Sequence, residues 1–157
     1  MRVGFCYNLK KPSDESIHAD LYAEWDDEET IGAVRSALAR RHEVIPIEGD
    51  EEAFEKFKKY RPPIVFNMAE GMHGTSRESQ IPAMLEMLRI PYTGSDPLTL
   101  AVCLDKAMAK VALSYYGIPN APFVVVSEAR KKHSFPPFPL IVKPLHEGSS
   151  KGIFERS

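Results

Sequence analysis

The sequence has few of the features that mark disulfide-rich or membrane-spanning proteins. Its 157 residues contain two cysteines, Cys6 and Cys103, each in an apolar stretch and without CxxC spacing. This argues against a disulfide framework or a zinc site and fits a reducing cytoplasm. No apolar run approaches the roughly 18 residues that a membrane-spanning helix needs. The amino terminus enters a strand-like run directly, so no signal peptide is predicted.

An excess of charge of one sign is also missing. The formal net charge is -2, and because nucleic acid is bound largely through a basic field, we expect no nucleic-acid partner. The hydrophobic content of 43% and the charged content of 27% are typical of a globular protein. A chain of this length suffices for one domain with a core, or for one domain and part of a second.

Short apolar runs alternate with helical patterns in the first part of the chain. Strands are predicted over residues 2–7, 43–47 and 64–67, with helices between and after them. Asp26 is the predicted cap of the first helix, and residues 75–78 (TSRE) form a predicted capping box for a later one. This alternation is typical of an α/β fold with a parallel sheet, in which residues 2–7 form an interior strand.

The pattern changes after residue 95. Asp96-Pro97 is a helix start, and the helix is predicted to continue to Tyr116. Two apolar β-branched runs, residues 123–127 and 140–143, are predicted strands. We therefore divide the chain into residues 1–95, a parallel-sheet domain, and residues 96–157, the beginning of a second and smaller α/β unit.

Residues 140–152 (LIVKPLHEGSSKG) carry the strongest chemical signal. A strand would deliver Lys143 at its end, and a loop rich in glycine and serine follows it. Backbone amides and hydroxyl groups in such a loop suit an anion such as phosphate. Neither GxxxxGK[ST] nor GxGxxG is present. The alternative is a flexible hairpin tip whose polar residues are incidental.

Two weaker signals lie upstream of this loop. Lys106 follows Leu104-Asp105 within a helical pattern, where a solvated lysine is the ordinary alternative. Glu70 and His73 follow a predicted strand, and the carboxyl ends of parallel strands are where ligands bind. The acidic stretch 14–29 could hold a metal, but we interpret it as a solvated loop that leads to a helix start.

These signals occur in a recognisable order. VFNMAEG, then LEMLRIPYTGSDPLTLAVCLDKAMAK, then FPLIVKPLHEGSSKG, within residues 63–153, resembles the D-alanine–D-alanine ligase group of ATP-grasp enzymes. The resemblance implies a Rossmann-like domain followed by an ATP-grasp fold that binds ATP and Mg²⁺. It also implies activation of a carboxylate as an acyl phosphate, followed by attack of an amine.

The resemblance assigns roles to individual residues. Lys106 and Lys143 would contact ATP, mainly its phosphates. The loop that closes over the phosphates and helps to bind substrate would be Glu147, Gly148, Ser149 and Ser150, with Ser149 as the predicted catalytic residue. Substrate binding would involve Glu15 and Glu70.

The sequence departs from the group at the amino-acid subsite. NLKKPSDES stands in place of a glycine- and serine-rich loop, so that Glu15 replaces its glutamate only loosely, and Glu70 replaces a histidine. We therefore expect an amino-acid substrate other than D-alanine, or in addition to it.

The group's magnesium ligands lie beyond residue 157. We predict the amino-terminal part of a ligase, inactive by itself and located in the cytoplasm. Its predicted ligand is a small amino-acid substrate, and it could form a homodimer. We expect it to bind neither nucleic acid nor a membrane. The alternative is a stand-alone α/β binding or dimerisation module without catalytic activity.

Overall fold

The computed structural model describes residues 1–11, 22–128 and 133–153. Nine named elements follow one another within these ranges: β1 (Arg2–Tyr7), α1 (Glu28–Ala39), β2 (Glu43–Glu48), α2 (Ala53–Tyr60), β3 (Val65–Asn67), a 3₁₀ turn (Arg77–Ser79), α3 (Gln80–Leu88), α4 (Pro97–Leu104) and α5 (Lys106–Tyr115).

β1 lies in the middle of a three-stranded parallel sheet with the order β2–β1–β3. Val3, Phe5 and Cys6 are all buried, because a central strand covered on both faces buries consecutive residues. The predicted α/β fold and the interior position of residues 2–7 are confirmed. β2, which contains Pro46, lies at one edge of this sheet, where a residue without an N–H is tolerated.

The core is formed where α2 and α3 pack beside the sheet. Ile47 of β2, Phe57 of α2, and Ile81 and Leu85 of α3 are each 2% exposed or less. Full burial of a side chain of this size stabilises the fold by about 1.5–3 kcal/mol. The core therefore fixes the sheet and its two helices, and with them the loops at the carboxyl ends of the strands.

Two predicted helix starts differ in detail from the structure. The cap of α1 is Asp27, whose side chain accepts a hydrogen bond from the Thr30 N–H, so the prediction of Asp26 was wrong by one residue. The capping box at residues 75–78 is not formed, because the chain enters α3 through a 3₁₀ turn. Gln80 closes the preceding loop instead, since its side chain accepts from the Met72 N–H and donates to the His73 carbonyl.

The helix predicted from residue 96 to Tyr116 is two helices. Asp96 caps α4 as expected, with Pro97 in the first turn. The chain then leaves helical geometry at Asp105, whose carboxylate accepts from the N–H groups of Ala107 and Met108 and so caps α5. Aspartate competes with the helix for backbone donors, which explains the break. Cys103, near the end of α4, is exposed, whereas Cys6 is buried.

The strands predicted at residues 123–127 and 140–143 are not formed. Both runs lack regular secondary structure and have no ladder partner in the part of the chain that the structure describes. Their side chains are exposed, with Phe123 at 41% and Val142 at 75%. A β-branched run becomes a strand only when a neighbour satisfies its backbone groups, so propensity alone misled the prediction.

No helix in the described ranges is long and apolar enough to cross a membrane.

Candidate functional site

Asn8 ties together the carboxyl ends of the sheet. It follows β1 directly and is 1% exposed. Its Nδ2 donates to the Gly49 carbonyl after β2 (2.9 Å), and its Oδ1 accepts from the Gly71 N–H after β3 (2.9 Å). One side chain thus sets the loops at the sheet edge where ligands of parallel α/β proteins bind.

Arg77, in the 3₁₀ turn before α3, is the centre of a charged network at this edge. Its Nε and Nη2 donate to Glu24 Oε2 at 3.0 and 2.6 Å, and Nη2 also donates to Glu147 Oε2 at 3.0 Å. Its Nη1 donates to the His146 carbonyl at 2.8 Å. Glu147 is also paired with Lys151. The network joins the loop before α1 to the loop that was predicted to bind phosphate.

Lys106 begins α5 and reaches the same loop. Its Nζ donates to the Glu147 carbonyl, and its backbone N–H donates to the Leu145 carbonyl. Burial, and then the positive charge of Lys143, lower the pKa of the Lys106 ammonium. The two lysines therefore lie close enough to repel each other.

Ser149 and Ser150 lie at the exposed tip of the loop. Their φ angles are 47° and 59°, and within the described ranges neither backbone N–H has a hydrogen-bond partner. Successive amides in such a conformation form a concavity that suits an anion. The turn is closed on itself by hydrogen bonds from Lys151 N to Gly148 O and from Ile153 N to Ser150 O.

Asp105 and His146 link α5 to the loop. Asp105 Oδ2 accepts a hydrogen bond from His146 Nε2 at 3.1 Å. The Met108 N–H, followed by the His146 contact, lowers the pKa of the Asp105 carboxyl. The aspartate of LDK thus both caps α5 and contacts the loop.

Glu70 is half-buried and interacts electrostatically with Glu24 and Arg77 of this network. Burial raises the pKa of its carboxyl to about 7, with further contributions from the negative charges of Glu78, Glu24 and Asp26. Burial and Glu24 also raise the pKa of Glu78. Carboxylates in this region therefore compete for the positive charge of Arg77.

A cleft of about 420 Å³ lies between the loop after β3 and the segment before Ser149. It is lined by Glu24, Trp25, Met72, His73, Gly74, Thr75, Arg77, Pro144, Leu145, His146, Glu147 and Lys151. Polar loops on one side thus face the predicted phosphate loop on the other. No group of three or more His, Cys, Asp or Glu side chains suited to a metal ion occurs in the described part of the chain.

The predicted site residues come together in part. Lys106, Glu147 and Gly148 are in one network, with Lys143 beside them and Ser149 and Ser150 at the neighbouring exposed tip. Glu70 lies near the network through its charge interactions. Glu15 lies outside the described residues. Their roles in binding and catalysis remain predictions.

Comparison with known proteins identifies relatives of this arrangement. A D-alanine–D-alanine ligase of Beijerinckia indica is 40% identical over 71% of this chain and 36% of its own length. The ligase of Azorhizobium caulinodans is 33% identical over 87% of this chain and 46% of its own length. An uncharacterized protein of Sinorhizobium fredii, y4sG, is 34% identical over 82% of this chain and 41% of its own length. No protein-family model matches the chain.

The fold has matches among solved structures. The crystal structure of D-alanine–D-alanine ligase from Bacillus anthracis superposes with a TM-score of 0.69 over 98% of this chain and 48% of the ligase, at 24% identity. The same enzyme complexed with ATP gives a TM-score of 0.60 over 85% of this chain and 42% of that one, at 22% identity. The chain belongs to the D-alanine–D-alanine ligase-like ATP-grasp family. It spans less than half the length of these relatives.

In this D-alanine–D-alanine ligase-like chain, sequence reasoning missed the charged residues that hold the loop. Glu24 belongs to the acidic stretch that was interpreted as solvated, yet its side chain is 6% exposed. Arg77 looked like an ordinary residue of a helix start, and its side chain is 9% exposed. No local pattern marks either residue, because their burial depends on the distant loop at residues 146–148.

Proposed function

We propose that this chain is the amino-terminal part of an ATP-dependent ligase that joins a carboxylate to an amine through an acyl phosphate. The observation that carries the proposal is the contact of Lys106 with the 147–150 loop at the carboxyl edge of the sheet, beside the exposed residues Ser149 and Ser150. The relatives named D-alanine–D-alanine ligases support this reaction class.

The residues present fit the phosphates of ATP. Lys106 and Lys143 repel each other, and a bound polyanion would relieve that repulsion. The exposed N–H groups of Ser149 and Ser150 add neutral donors. These groups would bind and orient the phosphates and neutralise charge, which is the main contribution of a protein to phosphoryl transfer. Ser149 remains our proposed catalytic residue.

ATP would supply the phosphoryl group that activates the carboxylate, and Mg²⁺ would accompany its phosphates. We propose no Mg²⁺ ligand among the described residues, since they offer no suitable cluster. Glu15 and Glu70 remain our proposed residues for an amino-acid substrate. Glu24 is not added to them, because both of its carboxylate oxygens already accept hydrogen bonds from the protein.

Calorimetric titration of ATP with Mg²⁺ into the 157-residue chain tests the nucleotide site. We expect weak binding without ADP release, because only the phosphates have visible partners. Lys143→Ala should weaken binding about tenfold or more, since a charge-assisted contact is lost. Lys58→Ala is the matched control, because Lys58 is an exposed lysine on α2 and is distant in sequence from Lys143. Equal binding by both variants would contradict the proposal for Lys143, and measurable ADP release would contradict inactivity.

Three wider predictions accompany this proposal. We propose that residues 1–95 form the Rossmann-like domain and residues 96–157 the start of the ATP-grasp domain. We also propose a cytoplasmic location and a homodimer. The exposed apolar side chains of α4 and α5, including Leu98, Met108, Val111 and Tyr115, support the homodimer. They also favour the alternative, a dimerisation module without catalytic activity, which nucleotide titration separates from the ligase.

A further inference from the structure

The segment 146–148 is held by hydrogen bonds to residues that are distant in sequence. The His146 carbonyl accepts from Arg77, the Glu147 carbonyl accepts from Lys106, and the Gly148 N–H donates to Glu24 Oε1 at 2.7 Å. These three partners come from three separate places in the chain: the loop before α1, the 3₁₀ turn and the start of α5. The conformation of this segment is therefore set by tertiary contacts and not by its own sequence alone.

Arg77 and Glu24 are committed to this task. The Nε, Nη1 and Nη2 atoms of Arg77 all donate hydrogen bonds, while Glu24 Oε2 accepts from Arg77 and Glu24 Oε1 accepts from the Gly148 N–H. Their side chains are 9% and 6% exposed. An ion pair this buried is costly to break, unlike a surface pair that solvent screens. Loss of Arg77 would leave the Glu24 carboxylate without its ion-pair partner, and loss of Glu24 would leave Arg77 paired with Glu147 alone.

Gly148 provides an independent observation. A Cβ atom at this position would lie 2.5 Å from Glu24 Oε1, with the next atom, also of Glu24, at 3.6 Å. Its φ angle is not in the left-handed region that favours glycine, unlike that of Gly152. The close approach of the Glu24 carboxylate therefore favours glycine at residue 148, because a Cβ atom there would have to displace the carboxylate from its hydrogen bonds.

We infer that Glu24 and Arg77 are positioning residues that lock residues 146–148 in place and so present the Ser149 and Ser150 amides to an anion. In the proposed function, on which the anion's identity rests, that anion is the phosphate chain of ATP. Both residues would act through the loop and not as ligands of the anion. This lock joins the loop before α1 to the phosphate loop about 120 residues later, through the hydrogen bond between Glu24 and the Gly148 N–H.

A double-mutant cycle separates this lock from general stability. Gly148→Ala, Glu24→Ala and the double variant are compared by hydrogen exchange of the amides of residues 148, 151 and 153, which have hydrogen-bond partners, with β1 amides as the internal reference. Each single variant should speed exchange in the loop about tenfold or more, because a buried charged hydrogen bond is lost. The double variant should be no worse than Glu24→Ala, because the added methyl group then has no carboxylate to meet.

Three further variants complete the comparison. Glu24→Gln keeps an acceptor for the Gly148 N–H and should fall between wild type and Glu24→Ala. Arg77→Lys should loosen the loop, because one ammonium cannot replace the guanidinium's several donors. Gly32→Ala, a glycine with open space around it in α1, is the matched control and should leave the loop unchanged. Additive effects, unchanged loop exchange, or equal loss of protection in β1 would overturn the inference.

Titration of ATP with Mg²⁺ into the same variants distinguishes the inference from the proposed function. Weaker ATP binding by Gly148→Ala than by wild type, with no further loss of affinity in the double variant, supports both the inference and the proposed function. A loosened loop in a chain that binds no ATP in its wild-type form supports the lock and contradicts the proposed function. ATP binding that is unchanged in variants whose loop stays protected supports the function and overturns the lock.

Discussion

Glu70 lies just after β3, and the folded protein opposes its ionisation. Burial and neighbouring carboxylates raise its pKa from 4.5 to about 7, so the folded state holds a proton that the unfolded chain releases. The resulting stabilisation is complete below pH 4.5 and is lost as the pH rises through about 7. This residue therefore makes the fold less stable at alkaline pH.

Glu70→Gln should remove this dependence. The variant should gain stability relative to wild type as the pH is raised from 5 to 8, because a neutral amide needs no proton to be buried. Urea unfolding at both pH values measures the difference. Glu51→Gln, an exposed residue before α2, is the control and should show no such trend. A stability difference that is the same at both pH values would contradict the raised pKa.

Single residues were predictable from the sequence where a local rule applies. Glu70 was expected at the ligand edge because it follows a strand, and it lies beside the charged network. Glu24 and Arg77 were not predicted, because an acidic loop and a helix start look solvated unless their partner is known. Their burial arises from contacts with residues 146–148, and no rule of spacing reaches that far.

The junction between α4 and α5 is the element on which the loop depends. Asp105 ends one helix, caps the next and accepts from His146. Asp105→Ala should cost about 1 kcal/mol in unfolding free energy through the lost cap, and should also speed hydrogen exchange of the Gly148 amide, which donates to Glu24. Asp96→Ala is the matched control, since Asp96 caps α4 in the same way without touching the loop.

The outcome that would contradict this prediction is equal loop exchange in the two variants. Asp105→Asn offers a further comparison, because asparagine is also a good cap but carries no charge for His146. It should retain most of the stability of wild type.

The strands and helices in the first 95 residues could be predicted because the spacing of apolar residues and the short connections both indicate a parallel α/β sheet there. β1, β2 and β3 lie within one residue of their predicted bounds, and helices lie between and after them as expected. Residues 123–127 and 140–143 were wrongly predicted as strands. A helix closes its own hydrogen bonds, whereas a strand needs a neighbour, so the apolar run alone is insufficient evidence.

For the whole molecule, the exposed apolar side chains of α5 predict self-association. If α5 lies in a homodimer interface, Met108→Asp should weaken dimerisation about tenfold or more, because a charge would be buried without a partner. Sedimentation equilibrium over a range of concentrations measures this. Met87→Asp is the matched control, as Met87 is an exposed methionine on α3. A monomer at all concentrations, or equal effects of both variants, would contradict the predicted interface.

Asn8 has a consequence for the lifetime of the protein. Asparagine slowly loses its amide nitrogen in solution and becomes aspartate, which has almost the same shape. An aspartate here would still accept from the Gly71 N–H, but it would set a carboxylate oxygen against the Gly49 carbonyl, to which Nδ2 now donates. The end of β2 would be released while the loop after β3 stayed attached. The two hydrogen bonds that would be disturbed also hold the Asn8 amide in one conformation, so the folded state slows the reaction that would damage it.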